Sequence, residues 1–173
     1  LLPGTDAAPL GFDTGPGNCL LDVWSAHRRG IPFDAGGSWA ATGTVQPNLL
    51  AALLDDPYYA LPAPKSTGRE LFNLAYLERK LSAANAAGCA DVDVQATLAE
   101  LTVETIARAI ERYAPRPPDG IYVCGGGVHN DDLMMRLARR LAPSAVTSTA
   151  TLGLDPDLVE ASAFAWLAAM RLS

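Results

Sequence analysis

The sequence predicts an α/β fold, and three features carry that reading. Residues 121–124, Ile-Tyr-Val-Cys, form a short apolar run typical of a buried strand, and residues 145–149 read as a second strand. Apolar residues return at helical spacing between and after them, giving strand–helix–strand–helix in the last third of the chain. Of the 173 residues 49% are apolar and 18% charged, enough for the core of one ordinary domain.

Residues 3–6, Pro-Gly-Thr-Asp, read as a turn between two short extended pieces, the second at 10–12. Leu20, Val23, Trp24 and His27 recur at helical spacing over 19–29, and Gly30 stops the run. Residues 31–45, rich in Gly, Ser, Thr and Ala, read as loop. Pro47 opens a short helix through residue 54, and Leu61-Pro62-Ala63-Pro64 forces an extended connection. Thr67 and Glu70 have capping-box spacing ahead of a helix carrying Leu71, Leu74 and Leu81. The longest periodic element covers 94–113, where Val94, Leu98 and Leu101 form one stripe and Val103, Ile106, Ile110 and Tyr113 another, as in a helix packed on two sides. After the strand at 121–124, Asn130 reads as the N-cap of a helix carrying Leu133, Met134, Leu137 and Leu141. Residues 160–172 read as a closing helix with Phe164, Leu167 and Leu172 inside.

Composition excludes several function classes. The net charge of −6, with no Lys/Arg run, argues against a nucleic-acid surface, and Arg28-Arg29 and Arg139-Arg140 read as ordinary helix-end charges. Three widely spaced cysteines without a CxxC, and two isolated histidines, predict neither a disulfide framework nor a metal centre and place the chain in a reducing cytoplasm. No run is long enough to cross a bilayer, and no secretory signal opens the chain. It begins without Met inside an apolar phrase, Leu1-Leu2-Pro3, which reads as a piece of something longer.

Four stretches have the composition of a site. In Gly11-Phe12-Asp13-Thr14-Gly15-Pro16-Gly17-Asn18 a carboxylate stands at a strand end before a glycine turn and a helix start. Asp13 there can serve as a general base, with the Thr14 and Gly15 N–H groups beside a phosphate, or it can simply cap the turn. Spacing alone favours the cap. In Val123-Cys124-Gly125-Gly126-Gly127-Val128-His129-Asn130 the glycines allow close approach of a phosphate or a flat ring, or serve a tight strand-to-helix turn and nothing more. Neither GxGxxG nor GxxxxGK[ST] occurs. Pro64-Lys65-Ser66-Thr67-Gly68-Arg69-Glu70 is fully explained as a capping box with solvated charges. Glu160, at the start of an apolar helix, either complements the helix dipole or accepts sugar hydroxyls, and spacing does not choose.

Taken together and in order, residues 11–18, 64–72, 125–130 and 160–168 (Glu-Ala-Ser-Ala-Phe-Ala-Trp-Leu-Ala) resemble the anhydro-N-acetylmuramic acid kinases. The resemblance runs from one end of the chain to the other. It implies one domain of the ribonuclease H-like ATPase fold shared by sugar kinases, Hsp70 and actin, a mixed sheet flanked by helices. By the same resemblance the chain is the C-terminal, ATP-binding part of a two-domain kinase, and the N-terminal domain with the first phosphate-binding segment is a missing partner.

The implied reaction takes ATP, Mg²⁺, water and 1,6-anhydro-N-acetylmuramic acid to N-acetylmuramic acid 6-phosphate and ADP, in cell-wall sugar recycling. Asp13 matches the family's catalytic acid group, which takes a proton from the attacking water. Thr14, Gly15 and Asn18 fall beside the phosphates, Gly125, Gly126, Gly127 and Asn130 in the adenosine-binding turn, and Glu160 at a sugar position. A homodimer is expected from the resemblance. The rival expectations are a half-protein that binds nucleotide or sugar without catalysis, and an inactive fragment of the kinase.

Overall fold

One helix organises the chain. The computed structural model describes residues 2–3 and 9–172, so the turn expected at 3–6 lies outside the described residues, apart from Pro3. In chain order the elements are β1 (Leu2–Pro3), β2 (Pro9–Leu10), α1 (Cys19–Arg29), α2 (Pro47–Leu54), α3 (Pro57–Ala60), α4 (Leu74–Ala83), α5 (Asp91–Tyr113), β3 (Gly120–Val123), α6 (Asp131–Arg140), β4 (Ala145–Ser148) and α7 (Val159–Leu172). Single 3₁₀ turns at Ala35–Gly37, Ala40–Thr42, Gly126–His129 and Thr149–Leu152 complete them, the first two within the expected loop.

The two stripes of α5 serve two separate cores. Val94, Leu98 and Leu101 are buried with Leu20 and Trp24 of α1, Leu49 and Leu53 of α2, and Tyr76, Leu77 and Leu81 of α4. Val103 and Ala107 are buried instead with Leu133, Leu137 and Leu141, while Ile106 and Ile110 pack alongside with Ile121, Val123 and Val146. The expected two-sided helix is therefore present, and it begins three residues earlier than its apolar pattern, at Asp91, where Asp91 and Asp93 complement the helix dipole.

The second core belongs to a β3–α6–β4 unit. The two strands run parallel in the register Gly120↔Ala145, Ile121↔Val146, Tyr122↔Thr147 and Val123↔Ser148. A separate antiparallel pair joins β1 and β2. This small parallel sheet with its helices is the expected α/β class. Only one face of β3 is covered, however. Tyr122 is 49% exposed and Cys124 is exposed, so the strand is half-buried where its continuous apolar run read as buried.

Ion pairs fasten α6 to α5. Arg136 donates to Asp132 at 2.7 Å and to Glu100 at 2.9 Å, and Arg140 to Glu104 at 2.6 Å and Glu111 at 2.7 Å. Arg140 is thus a bridge between helices, not the ordinary helix-end charge its position suggested. Two further expectations are corrected. The helix after Thr67 starts only at Leu74, capped by Asn73, whose side chain accepts from the Tyr76 N–H at 3.0 Å; the Thr67 hydroxyl caps nothing. In α7, Phe164 is 67% and Leu167 54% exposed rather than inside, because among the described residues no element covers that helix. The Leu172 side chain lies outside the described ones.

Candidate functional site

Asp13 leaves the β2 segment exposed, and residues 58–67 hold it from several directions. Its N–H donates to the Lys65 carbonyl at 3.0 Å, and its carbonyl accepts from the Tyr58 hydroxyl at 2.7 Å. Its carboxylate Oδ2 accepts from the Ser66 hydroxyl at 3.0 Å and from the Thr67 N–H at 2.9 Å. The Lys65 ammonium donates to the carbonyls of Tyr58 at 2.9 Å and Tyr59 at 3.3 Å and lies 4.5 Å from the centre of the Tyr58 ring. Burial, and then the charge of Arg112, lower its pKa. Asp13 therefore caps the 66–67 segment rather than its own glycine turn.

Past Asp13 the chain turns against α5. A methyl group at Gly15 would stand 3.0 Å from the Thr105 hydroxyl and 3.2 Å from the Tyr59 ring, so these side chains would have to give by a few tenths of an ångström to admit one. Gly17 adopts φ +53°, and its carbonyl accepts from Thr102 Oγ1 at 2.7 Å. These contacts aim the N-terminus of α1, where Asn18 stands at the N-cap position without a side-chain capping bond. Its amide is thereby free to face the second glycine turn. A methyl group at Gly127 would lie 3.5 Å from the Asn18 amide nitrogen, and one at Gly126 4.0 Å from it.

That second turn follows β3. Gly125, at φ +73°, donates its N–H to the Pro156 carbonyl at 2.8 Å, so this group is occupied within the chain. Asn130 caps α6 as expected, accepting from the Leu133 N–H at 2.9 Å. Asn18, Gly126 and Asn130 line one pocket of about 450 Å³, with Leu21, Asp22, Phe33, Asp34 and Gly36 among the other walls. The Asp34 carboxylate is buried and accepts from the N–H groups of Trp39 and Ala40, each at 2.9 Å, which fixes the loop forming one wall. Burial pushes the Asp22 carboxyl above its usual range, opposed by the charge of Arg69. The pocket has the mixed lining of a small-molecule site: amide groups, one half-buried carboxyl and the exposed ring of Phe33.

The remaining candidates lie elsewhere. Thr14 lines a smaller cavity of about 210 Å³ with Lys65, Arg108 and Arg112, and also an apolar groove of about 480 Å³ with Tyr122, Cys124 and Val159. Glu160 is exposed at the start of α7, one residue past Val159. The structure therefore unites Asn18, Gly126 and Asn130, places Asp13 against residues 65–67, and leaves Glu160 on the uncovered helix. Among the described residues no cluster of three or more His, Cys, Asp or Glu side chains could hold a metal. No described helix is long and apolar enough to cross a membrane.

Sequence reasoning passed over Ser66 and Thr67 as partners of Asp13, and Asp22 and Phe33 as pocket walls. The signal for the first pair was present, since Pro64–Glu70 falls in one of the four ordered blocks, but a local capping box explained it more cheaply. Phe33 sits in a glycine-rich loop with no periodicity to mark it.

A parallel strand–helix–strand unit with a glycine turn after its first strand and an amide-lined pocket beside that turn is an arrangement common among α/β proteins that bind small molecules. The chain belongs to the anhydro-N-acetylmuramic acid kinase family, whose model matches residues 1–173. It is 55% identical over 168 residues to the anhydro-N-acetylmuramic acid kinase of Xanthomonas campestris pv. campestris (strain 8004), covering 97% of this chain and 44% of that protein. It is 54% identical over 158 residues to the protein of that name from Pseudomonas fluorescens (strain Pf0-1), covering 91% and 43%, and 50% identical over 167 residues to that of Shewanella sp. (strain W3-18-1), covering 96% and 44%. The chain thus spans less than half the length of these relatives.

Proposed function

We propose that this chain is the C-terminal, ATP-binding part of a cytoplasmic kinase that converts 1,6-anhydro-N-acetylmuramic acid, ATP and water to N-acetylmuramic acid 6-phosphate and ADP, with Asp13 as the general base. Family membership supports the carbohydrate kinase class, and the resemblance of four ordered blocks supports the rest. The single observation that carries the assignment is the Asp13 carboxylate, exposed three residues past β2 with one oxygen bonded and the other without a partner among the described residues. The fold proposed for the chain is one domain of the ribonuclease H-like kinase architecture, completed by an N-terminal domain and forming a homodimer. β3–α6–β4 and α5 are the parts present that suit it.

Asp13 takes a proton from water as the water oxygen bonds to the anomeric carbon. The bond from that carbon to O6 breaks, and O6 takes the γ-phosphoryl group as the terminal phosphoanhydride bond breaks. Proton removal in the transition state is worth about 10²–10⁴ in rate. ATP bound with Mg²⁺ supplies the phosphoryl group and offsets its charge. Gly125, Gly126, Gly127 and Asn130 would hold the nucleoside end, for which the 450 Å³ pocket lined by Gly126 and Asn130 has the right scale and amide lining, and Asn18, on a wall of the same pocket, would stand at its phosphate side. Thr14 and Gly15 would stand by the phosphates and Glu160 by the sugar. Isolated carboxylates suit Mg²⁺, which is commonly bound through substrate phosphates and only one or two side chains.

The test is product analysis of the full-length protein with the anhydro-sugar, ATP and Mg²⁺ in ¹⁸O-water. The expected product is the 6-phosphate carrying label at the anomeric oxygen. A phosphorylated product with the anhydro ring intact would refute the coupled mechanism, and no phosphorylated product would refute the kinase assignment.

A further inference from the structure

We propose that the segment Lys65-Ser66-Thr67, with Tyr58, is a clamp that makes Oδ1 of Asp13 the proton-accepting oxygen, Ser66 and the Thr67 N–H being positioning groups. The inference rests on Asp13 serving as the base.

A carboxylate offers about four lone-pair positions on two equivalent oxygens. Here the two are made unequal. Oδ2 takes both available donors, the Ser66 hydroxyl at 3.0 Å and the Thr67 N–H at 2.9 Å, while Oδ1 accepts from no described residue on an exposed side chain. Two donors on one oxygen fix the side-chain rotation.

The main chain beneath is fixed as well. Asp13 donates to Lys65, Lys65 donates through its ammonium to Tyr58, and Tyr58 donates to Asp13, a closed circuit of three residues with bonds of 3.0, 2.9 and 2.7 Å. The partners lie 45 to 54 residues further along the chain. A tether that only held the 61–68 loop to the strand would need the main-chain bonds alone. The two bonds to Oδ2 add an orientation of the carboxylate. In the proposed step the water proton moves to Oδ1 and leaves to solvent between turnovers, while Oδ2 keeps both bonds throughout.

The experiment is steady-state kinetics of full-length Ser66→Ala and Ser66→Thr, with Asp13→Asn alongside. Ser66→Ala is expected to lower kcat about ten- to fifty-fold with KM unchanged, the loss of one hydrogen bond to a charged group. Ser66→Thr, which keeps the hydroxyl, is expected to restore most of the lost kcat. An unchanged kcat in Ser66→Ala would overturn the proposal. So would a raised KM with kcat intact, which would make Ser66 a substrate contact, or a Ser66→Thr enzyme as impaired as Ser66→Ala. Should Ser66→Ala not fold, Tyr58→Phe carries the test: it removes only the bond to the Asp13 carbonyl, a several-fold loss of kcat is expected, and no loss would refute the clamp. Turnover retained in Asp13→Asn would remove the base itself, whereas a dead Asp13→Asn beside an unaltered Ser66→Ala would remove the clamp alone.

Discussion

Replacing Gly37 by alanine should disturb the amide-lined pocket through packing that no chemistry at the pocket demands. Gly37 sits in the 35–37 turn at φ +69°, where a non-glycine residue costs about 1–2 kcal/mol. Its added methyl group would collide with Asn130 Oδ1 and stand 2.8 Å from the Asp132 Cβ. Asn130 would have to leave the Leu133 N–H, losing a helix cap worth about 1 kcal/mol. The sum is about 2–3 kcal/mol, or roughly 4–12 °C in melting temperature for a domain of this size. Gly30→Ala is the control: its φ is +67° and nothing lies within 4 Å of the new methyl group, so only the backbone cost of about 1–2 kcal/mol applies. Thermal unfolding by circular dichroism of both variants reads the difference. A Gly37→Ala melt within about 1 °C of Gly30→Ala would refute the claim that Gly37 is pressed against the α6 cap.

Other outcomes follow from the same packing and charges. Burial raises the Glu104 carboxyl, but its bonds to Arg140 and Arg108 outweigh this and hold it below its usual value of 4.5. Glu104 then adds stability above that value and loses it as pH falls through its lower folded pKa. Glu104→Gln should therefore be less stable than the parent at neutral pH, by about 1–3 kcal/mol, and the gap in urea midpoints should close on acidification. Phe72→Ala, at a site 1% exposed, should cost about 3–5 kcal/mol in urea unfolding. Phe164→Ala, at a site 67% exposed, should stay within about 0.5 kcal/mol of the parent. Asn130→Ala should weaken ADP binding to the full-length protein several-fold in calorimetry and cost about 1 kcal/mol of stability.

What could be read from the residues was mostly local. Gly30 in the left-handed region, Asn130 at the cap of α6 and the paired stripes of α5 each follow from a pattern within a few residues, and each stands where the pattern put it. The misreadings turn on what packs, or fails to pack, against a residue from far away in sequence. Thr67 matched a capping box three residues from Glu70, but its N–H is taken by Asp13, 54 residues away. Phe164 and Leu167 have the spacing of a buried face, and periodicity records that a face is apolar, not what covers it. Asp22 and Phe33 join Asn18 and Asn130 only because α1 and the 33–37 loop meet α6 in space, which no spacing encodes. Asp13 was legible as an acid at a strand end, whereas its choice between cap and base depended on the other three blocks.

The most direct measurement is the turnover of full-length Asp13→Asn on 1,6-anhydro-N-acetylmuramic acid with saturating ATP and Mg²⁺, in a protein shown by its melting curve to be folded. Asparagine keeps an acceptor for Ser66 and Thr67 but cannot take the proton from water, so kcat should fall by about 10²–10⁴ with little change in the affinity for nucleotide. Turnover within about tenfold of the parent enzyme would contradict Asp13 as the base.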